Sequence, residues 1–311
     1  MTVIDWKYEH ARYEKLEDEH IGIVTMDYPE KLNPMSGNSD LMDGVRAAVD
    51  DVNNDPNMKV LVVQGAGRAF SSGADVDFVG HYYGESWQTP KPGEKFKPPR
   101  LRHRLSHDIT SRRGMEHLYD CTKLTIAKVH GYCLGGGFDI AAACDLVVAS
   151  DDAVFGHPYW RFVGPGGDQN IVLYTMLMGL RRTTEMMFTT RWISADEAKE
   201  FGFVNKVVPL DDLDDEALKF AKGCALMAAD GIVAGKAVLA LMRNTWGARN
   251  GYLISGMIHS IGVDVHYEDD EFNLMKHRRD DGYRAAIKKL RSRYQEYFPE
   301  PPTPASMKKP R

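Results

Sequence analysis

Residues 125–150 read TIAKVHGYCLGGGFDIAAACDLVVAS and constrain the fold more than any other part of the chain. Six β-prone, mostly apolar residues are interrupted by Gly131 and then by Gly135, Gly136 and Gly137, so a strand ends there. From Phe138 the run FDIAAACDL is dense in alanine and other small apolar residues, as suits a helix lying close on a sheet. Asp145 then opens a second apolar, β-prone run. Strand, glycine turn, buried helix and strand in that order predict an α/β architecture.

A glycine turn that feeds a helix N-terminus presents backbone N–H groups with no side chain in front of them, and it favours a negatively charged ligand. The ligand is either a phosphate, as in a dinucleotide-binding turn, or the oxyanion that develops when a carbonyl is attacked or enolised. The sequence LGGGFDIA does not supply the G-x-G-x-x-G spacing of the first reading. A second glycine turn, GRAFSSGADV at residues 67–76, follows the predicted strand at residues 60–65 and favours the second.

GRAFSSGADV, then HGYCLGGGFDIAAACDLVVAS, then FGHP at residues 155–158 and ISADEAKEFGFVNKVV at residues 193–208 together resemble the crotonase superfamily of enoyl-CoA hydratases and isomerases. The resemblance runs from residue 5 to about residue 295 with the motifs in order. It implies a spiral of repeated ββα units with a helical C-terminal region, assembled as a trimer or a dimer of trimers. Matched by position, the N–H groups of Ala74 and Gly136 would form the oxyanion hole. Lys31 and Leu32, with Asn33, would lie against the adenine end of coenzyme A. Ser72, Ala74, Asp75 and Val76, with Gly135, would line the pantetheine and acyl part. Coenzyme A is then part of the substrate, and no separate cofactor is expected.

The acids depart from the family pattern. Hydratases of this family place one glutamate just after the glycine triplet and one just after FG-x-P, where this chain has Asp139 and Tyr159. Asp139 keeps a carboxylate on a shorter stem, either for proton transfer or as a complement to the helix dipole. A tyrosine with its ordinary pKa near 10 is a weak base at neutral pH, so simple two-glutamate hydration is not expected. Asp168 in VGPGGDQ reads as a helix N-cap or as an alternative acid, since some family members place a catalytic aspartate near this turn. His157 reads as support for the site.

The rest of the chain frames this reading. A 311-residue chain, 43% hydrophobic and 27% charged, is long enough for a large core. Its net charge of −5 argues against bulk attraction to nucleic acid. No apolar run approaches a membrane span, and four scattered cysteines without a C-x-x-C pair read as reduced thiols of a cytoplasmic protein rather than metal ligands.

A hairpin is expected over residues 8–27, a helix over 39–53, and a capped helix from Ser194 with Glu197 as capping-box partner and Gly202 as stop. Residues 1–208 form the expected core, with an insertion at 80–123 that combines an extended loop with a helix and lies at the acyl end. Lys95, Lys97, Arg100 or Arg102 would reach phosphates there, or simply be solvated. Residues 209–297 form the helical region, and the proline-rich residues 298–311 are expected to be extended or disordered. The leading function is an enoyl-CoA hydratase or isomerase that stabilises a thioester enolate. A carbon–carbon hydrolase or ring-cleaving enzyme of a β-keto-acyl-CoA, and a non-catalytic acyl-CoA binder, are the alternatives.

Overall fold

The computed structural model describes residues 6–35, 39–75, 100–111, 113–158, 170–262 and 267–308. Its spine is a six-stranded sheet of β1 (Ala11–Leu16), β2 (Ile21–Met26), β3 (Val60–Gly65), β4 (Leu124–Val129), β6 (Leu146–Ser150) and β9 (Lys206–Val208), adjacent in that order. Only β1 runs antiparallel to its neighbour; the other pairs are parallel. A second sheet contains β5 (Tyr132–Leu134), β7 (Val154–Gly156) and β8 (Ile193–Ser194).

The chain alternates between the two sheets. β4 is followed by β5 and helix α4 (Gly136–Ala143), and β6 by β7 and, further on, helix α5 (Ile171–Met178). After β3, Ser71 makes an isolated parallel bridge to Cys133 of β5, so the first glycine turn joins the second sheet by one residue. This is the spiral of ββα units that the motif order predicts.

Strands such as VLVV of β3 are apolar on both faces because both faces are covered. Leu61, Val63, Ala127, Val129 and Val147 face helices α1 (Leu41–Asn54), α3 (Arg113–Tyr119) and α4. Val60, Val62, Ile126 and Val148 face α8 (Leu213–Ala225), which presents Leu213, Ala217, Ala221 and Ala225 every fourth residue. The small residues of α4 serve the same close approach: Ala141, Ala142 and Ala143 are all buried, and Phe138 stacks on Phe203 at 4.4 Å between ring centroids.

Local signals are met with small shifts. The hairpin turn is a 3-10 turn at Glu17–Glu19 closed by His20 in the left-handed region (φ 59°). Ser194 and Glu197 form the reciprocal capping box of α7 (Ala195–Glu200), and Gly202 follows with φ +85°. Helix α5 stops at Met178, because Gly179 (φ +79°) breaks it before α6 (Leu180–Thr189). Its cap is Asn170, whose side chain accepts from the Leu173 N–H at 3.0 Å; Asp168 does not fill that role.

In the insertion, α2 (Leu101–Ser111) precedes α3 and packs on α10 (Ala248–Gly262), where Asp108 meets His259 at 3.0 Å and Ser260 at 2.5 Å. Arg100 and Arg102 are exposed; Lys95 and Lys97 lie outside the described residues. The C-terminal region continues through α9 (Ala229–Thr245), α10, α11 (Leu274–Asp281) and α12 (Tyr283–Gln295). Residues 298–305 form neither helix nor strand and lead into a short 3-10 turn at Ser306–Lys308. Among the described residues, no single helix is long and apolar enough to cross a membrane.

Candidate active site

Three loops converge where the two sheets meet. The first follows a 3-10 turn at Pro29–Lys31, and Leu32 and Asn33 both sit in the left-handed region (φ 60° and 53°). Asparagine tolerates that conformation because its short amide can bond locally. Here Asn33 is fully buried, accepts from the Tyr28 N–H at 2.8 Å, and donates to the carbonyls of Ala66 and Ala69 at 2.9 Å each. It thereby fixes the loop to the start of the first glycine turn. Three more bonds complete the seam: Ser72 N–H to Leu32 O at 2.9 Å, Ser71 O–H to Asn33 O at 2.7 Å, and Met35 N–H to Gly73 O at 2.9 Å. Lys31 Nζ closes it at the surface on Asp75, 2.9 Å away.

The first glycine turn leans on the second. Ser71 donates to Tyr132 O and accepts from the Leu134 N–H, both at 3.0 Å. Gly73 has φ +86°, and a side chain there would meet Leu134 O at 2.6 Å and the Gly136 nitrogen at 2.9 Å; both the dihedral and the contact require glycine. Ala74 follows Gly73 directly and Gly136 opens α4, so the two amides stand on abutting turns. Among the described residues neither N–H is paired with an acceptor. Gly135, the residue before α4, is anchored by its own N–H to Gly156 O at 2.9 Å. The Met35 thioether lies against Gly136, where a β-carbon would collide with it.

Asp139 lies in the first turn of α4, where the helix dipole favours its negative charge. Its side chain is 15% exposed. The Tyr174 hydroxyl of α5 donates to Oδ1, and His157 Nε2, just beyond β7, lies 3.4 Å from Oδ2. Burial, and then the charge of Asp139, hold the Tyr174 phenol well above its ordinary pKa. Burial and Asp139 do the same to Tyr252 of α10, and burial raises the Cys133 thiol of β5.

The sequence-predicted residues Lys31, Leu32, Ser72, Ala74, Asp75, Gly135, Gly136 and Asp139 are thus brought together by these loops. Val76, Tyr159 and Asp168 lie outside the described residues. Tyr174 was not anticipated. Its signal is a single hydroxyl-bearing ring in the apolar helix IVLYTMLM, since a buried tyrosine needs a partner for its O–H. Among the described residues, no three His, Cys, Asp or Glu side chains are grouped to hold a metal ion.

The fold is a two-sheet ββα spiral in which two glycine turns abut at the start of a helix that carries a carboxylate in its first turn. Residues 17–246 match the family model described as Enoyl-CoA hydratase/isomerase, and the chain belongs to that family. It is 31% identical over 215 residues to a probable enoyl-CoA hydratase of Mycobacterium bovis, covering 68% of this chain and 74% of the relative. It superposes on an enoyl-CoA hydratase from Mycobacterium smegmatis with a TM-score of 0.77 at 25% identity, covering 92% of this chain and 94% of the other. An enoyl-CoA hydratase/isomerase from Xanthobacter autotrophicus gives 0.74 at 28% identity, covering 92% and 99%.

Proposed function

We propose that this protein is an acyl-CoA enzyme of the enoyl-CoA hydratase or isomerase type that works through a thioester enolate. The observation that carries this reading is the abutment of the Gly73–Ala74 and Gly135–Gly136 turns, with Asp139 one turn into the same helix. In it, the thioester oxygen accepts hydrogen bonds from the Ala74 and Gly136 N–H groups. As a proton leaves or joins the carbon next to the carbonyl, charge builds on that oxygen, where donors fixed by separate turns need little reorganisation. Asp139 carries the proton. Lys31 and Leu32 meet the adenine end of coenzyme A, and Ser72, Asp75, Val76 and Gly135 line the path toward the acyl group. Lys31 pairs with Asp75 at 2.9 Å and its side chain is 39% exposed, which puts it at the solvent end of this path. No separate cofactor enters.

The working form is a homotrimer or a dimer of trimers. Support comes from α9, α10 and the residues between them, which expose Val238, Leu241, Trp246, Leu253 and Met257. A cytoplasmic location agrees with four free cysteines.

The test is incubation with short-chain, long-chain and cyclic enoyl-CoA thioesters in deuterated water, followed by mass spectrometry of the acyl products. Water addition, or deuterium carried into the acyl part, is expected, and Asp139→Ala should lower turnover by about 10²–10⁴ with thioester binding retained. A chain-shortened or ring-opened acid would replace this reading with hydrolysis. Binding without any change in the thioesters would replace it with a non-catalytic binder.

A further inference from the structure

We infer that Tyr174 and His157 are positioning residues that clamp Asp139 from two sides, holding its carboxylate in place as a proton acceptor. The inference rests on the proposed role of Asp139 and adds what sets its aim.

The clamp is built from separate elements. Tyr174 O–H donates to Oδ1 from α5, and His157 Nε2 faces Oδ2 from the residue after β7. An ionised carboxylate only accepts hydrogen bonds, so the hydrogen of that contact sits on Nε2. Donors to a carboxylate stabilise the charged form. Tyr174 and His157 are both buried, which restricts their rings. Tyr174 is also held by Phe138, with ring centroids 5.0 Å apart. Its phenol stays protonated across the working range because burial opposes its charge, so it is a constant donor.

Among the described residues, titratable groups face Asp139 from two further elements. Cys133 comes from β5 and Tyr252 from α10, each carrying an influence of Asp139 on its own ionisation. Glu116 of α3 acts on Tyr252. Cys133 and Tyr252 are neutral near pH 7 because burial raises both.

The reaction needs the Asp139 carboxylate held in its aim, so loss of a donor lowers turnover without loosening the thioester. The experiment compares kcat and KM for the wild type, Tyr174→Phe, His157→Ala, His157→Gln and Asp139→Asn. Tyr174→Phe is expected to lower kcat about tenfold with KM within twofold. His157→Ala should lower it the same way, and His157→Gln, which restores an N–H donor, should bring it back. An unchanged kcat in Tyr174→Phe, or loss of kcat and of thioester binding together, overturns the clamp while Asp139→Asn remains inactive. If Tyr174→Phe does not fold, the His157 pair decides: an unchanged kcat in His157→Ala, or no recovery in His157→Gln, overturns it. Full activity in Asp139→Asn overturns the role of Asp139 itself, and the clamp with it.

Discussion

Asn33 is where one side chain does the most to bring the three loops together. Its amide satisfies the Tyr28 N–H and two buried carbonyls, and its own carbonyl receives the Ser71 hydroxyl. Truncation leaves those backbone groups buried without partners, each a cost of about 1–3 kcal/mol. Asn33→Ala should lower unfolding free energy by about 2–4 kcal/mol in urea titration and weaken thioester binding as well. A loss under 0.5 kcal/mol would mean that the loops are held by other contacts. Gly73 carries a different lesson. Its need for glycine was readable from the sequence as a turn, but the reason, a backbone contact with Leu134 and Gly136, depends on residues brought near only by folding. Tyr174 was not readable as part of the site at all: its partner lies 35 residues away, and helical spacing shows only that a side chain is buried.

The elements were legible where a local rule decides them. Alternation gave the β1–β2 hairpin, continuous apolar runs gave β3 and β4, and the capping box gave α7. What stayed hidden is how elements are tied together. Asp145, which the sequence offers only as the opening of β6, accepts from the Thr125 N–H at 2.8 Å and meets Lys236 of α9 at 2.5 Å, with Arg243 at 3.5 Å. Both Lys236 and Asp145 are nearly fully buried, and 91 residues separate them, so no periodicity could reveal the pair. Removing one partner of a buried pair strands the other charge. Lys236→Met should therefore destabilise by about 3 kcal/mol, and Lys236→Met with Asp145→Asn should recover part of the loss. A loss in the double variant equal to the sum of the two single-variant losses, by urea unfolding, would show that the two groups are not coupled.

For the molecule as a whole, the outer helices leave apolar surface that the core does not need. Leu241 of α9 is 69% exposed and Trp246, just after α9, 63%, and Leu253 and Met257 on α10 are each about half exposed. Exposed apolar residues of this kind are what the proposed trimer would cover. Leu241→Asp should shift the sedimentation of the purified protein to smaller species, since it places a charge in a contact that excludes water. A wild type that already sediments as a monomer would rule out the trimer. The direction in which the chain is assembled has a bearing on the site as well. Ser306 donates its N–H to Asp152 at 2.7 Å, and Arg68 reaches Met307 O at 3.2 Å across 239 residues of sequence. Arg68 belongs to the turn that leads into Ala74, so that turn receives its last fastening only after residue 307 has been synthesised. On the ribosome, the nascent spiral holds an unfinished site until the segment around Met307 emerges and docks.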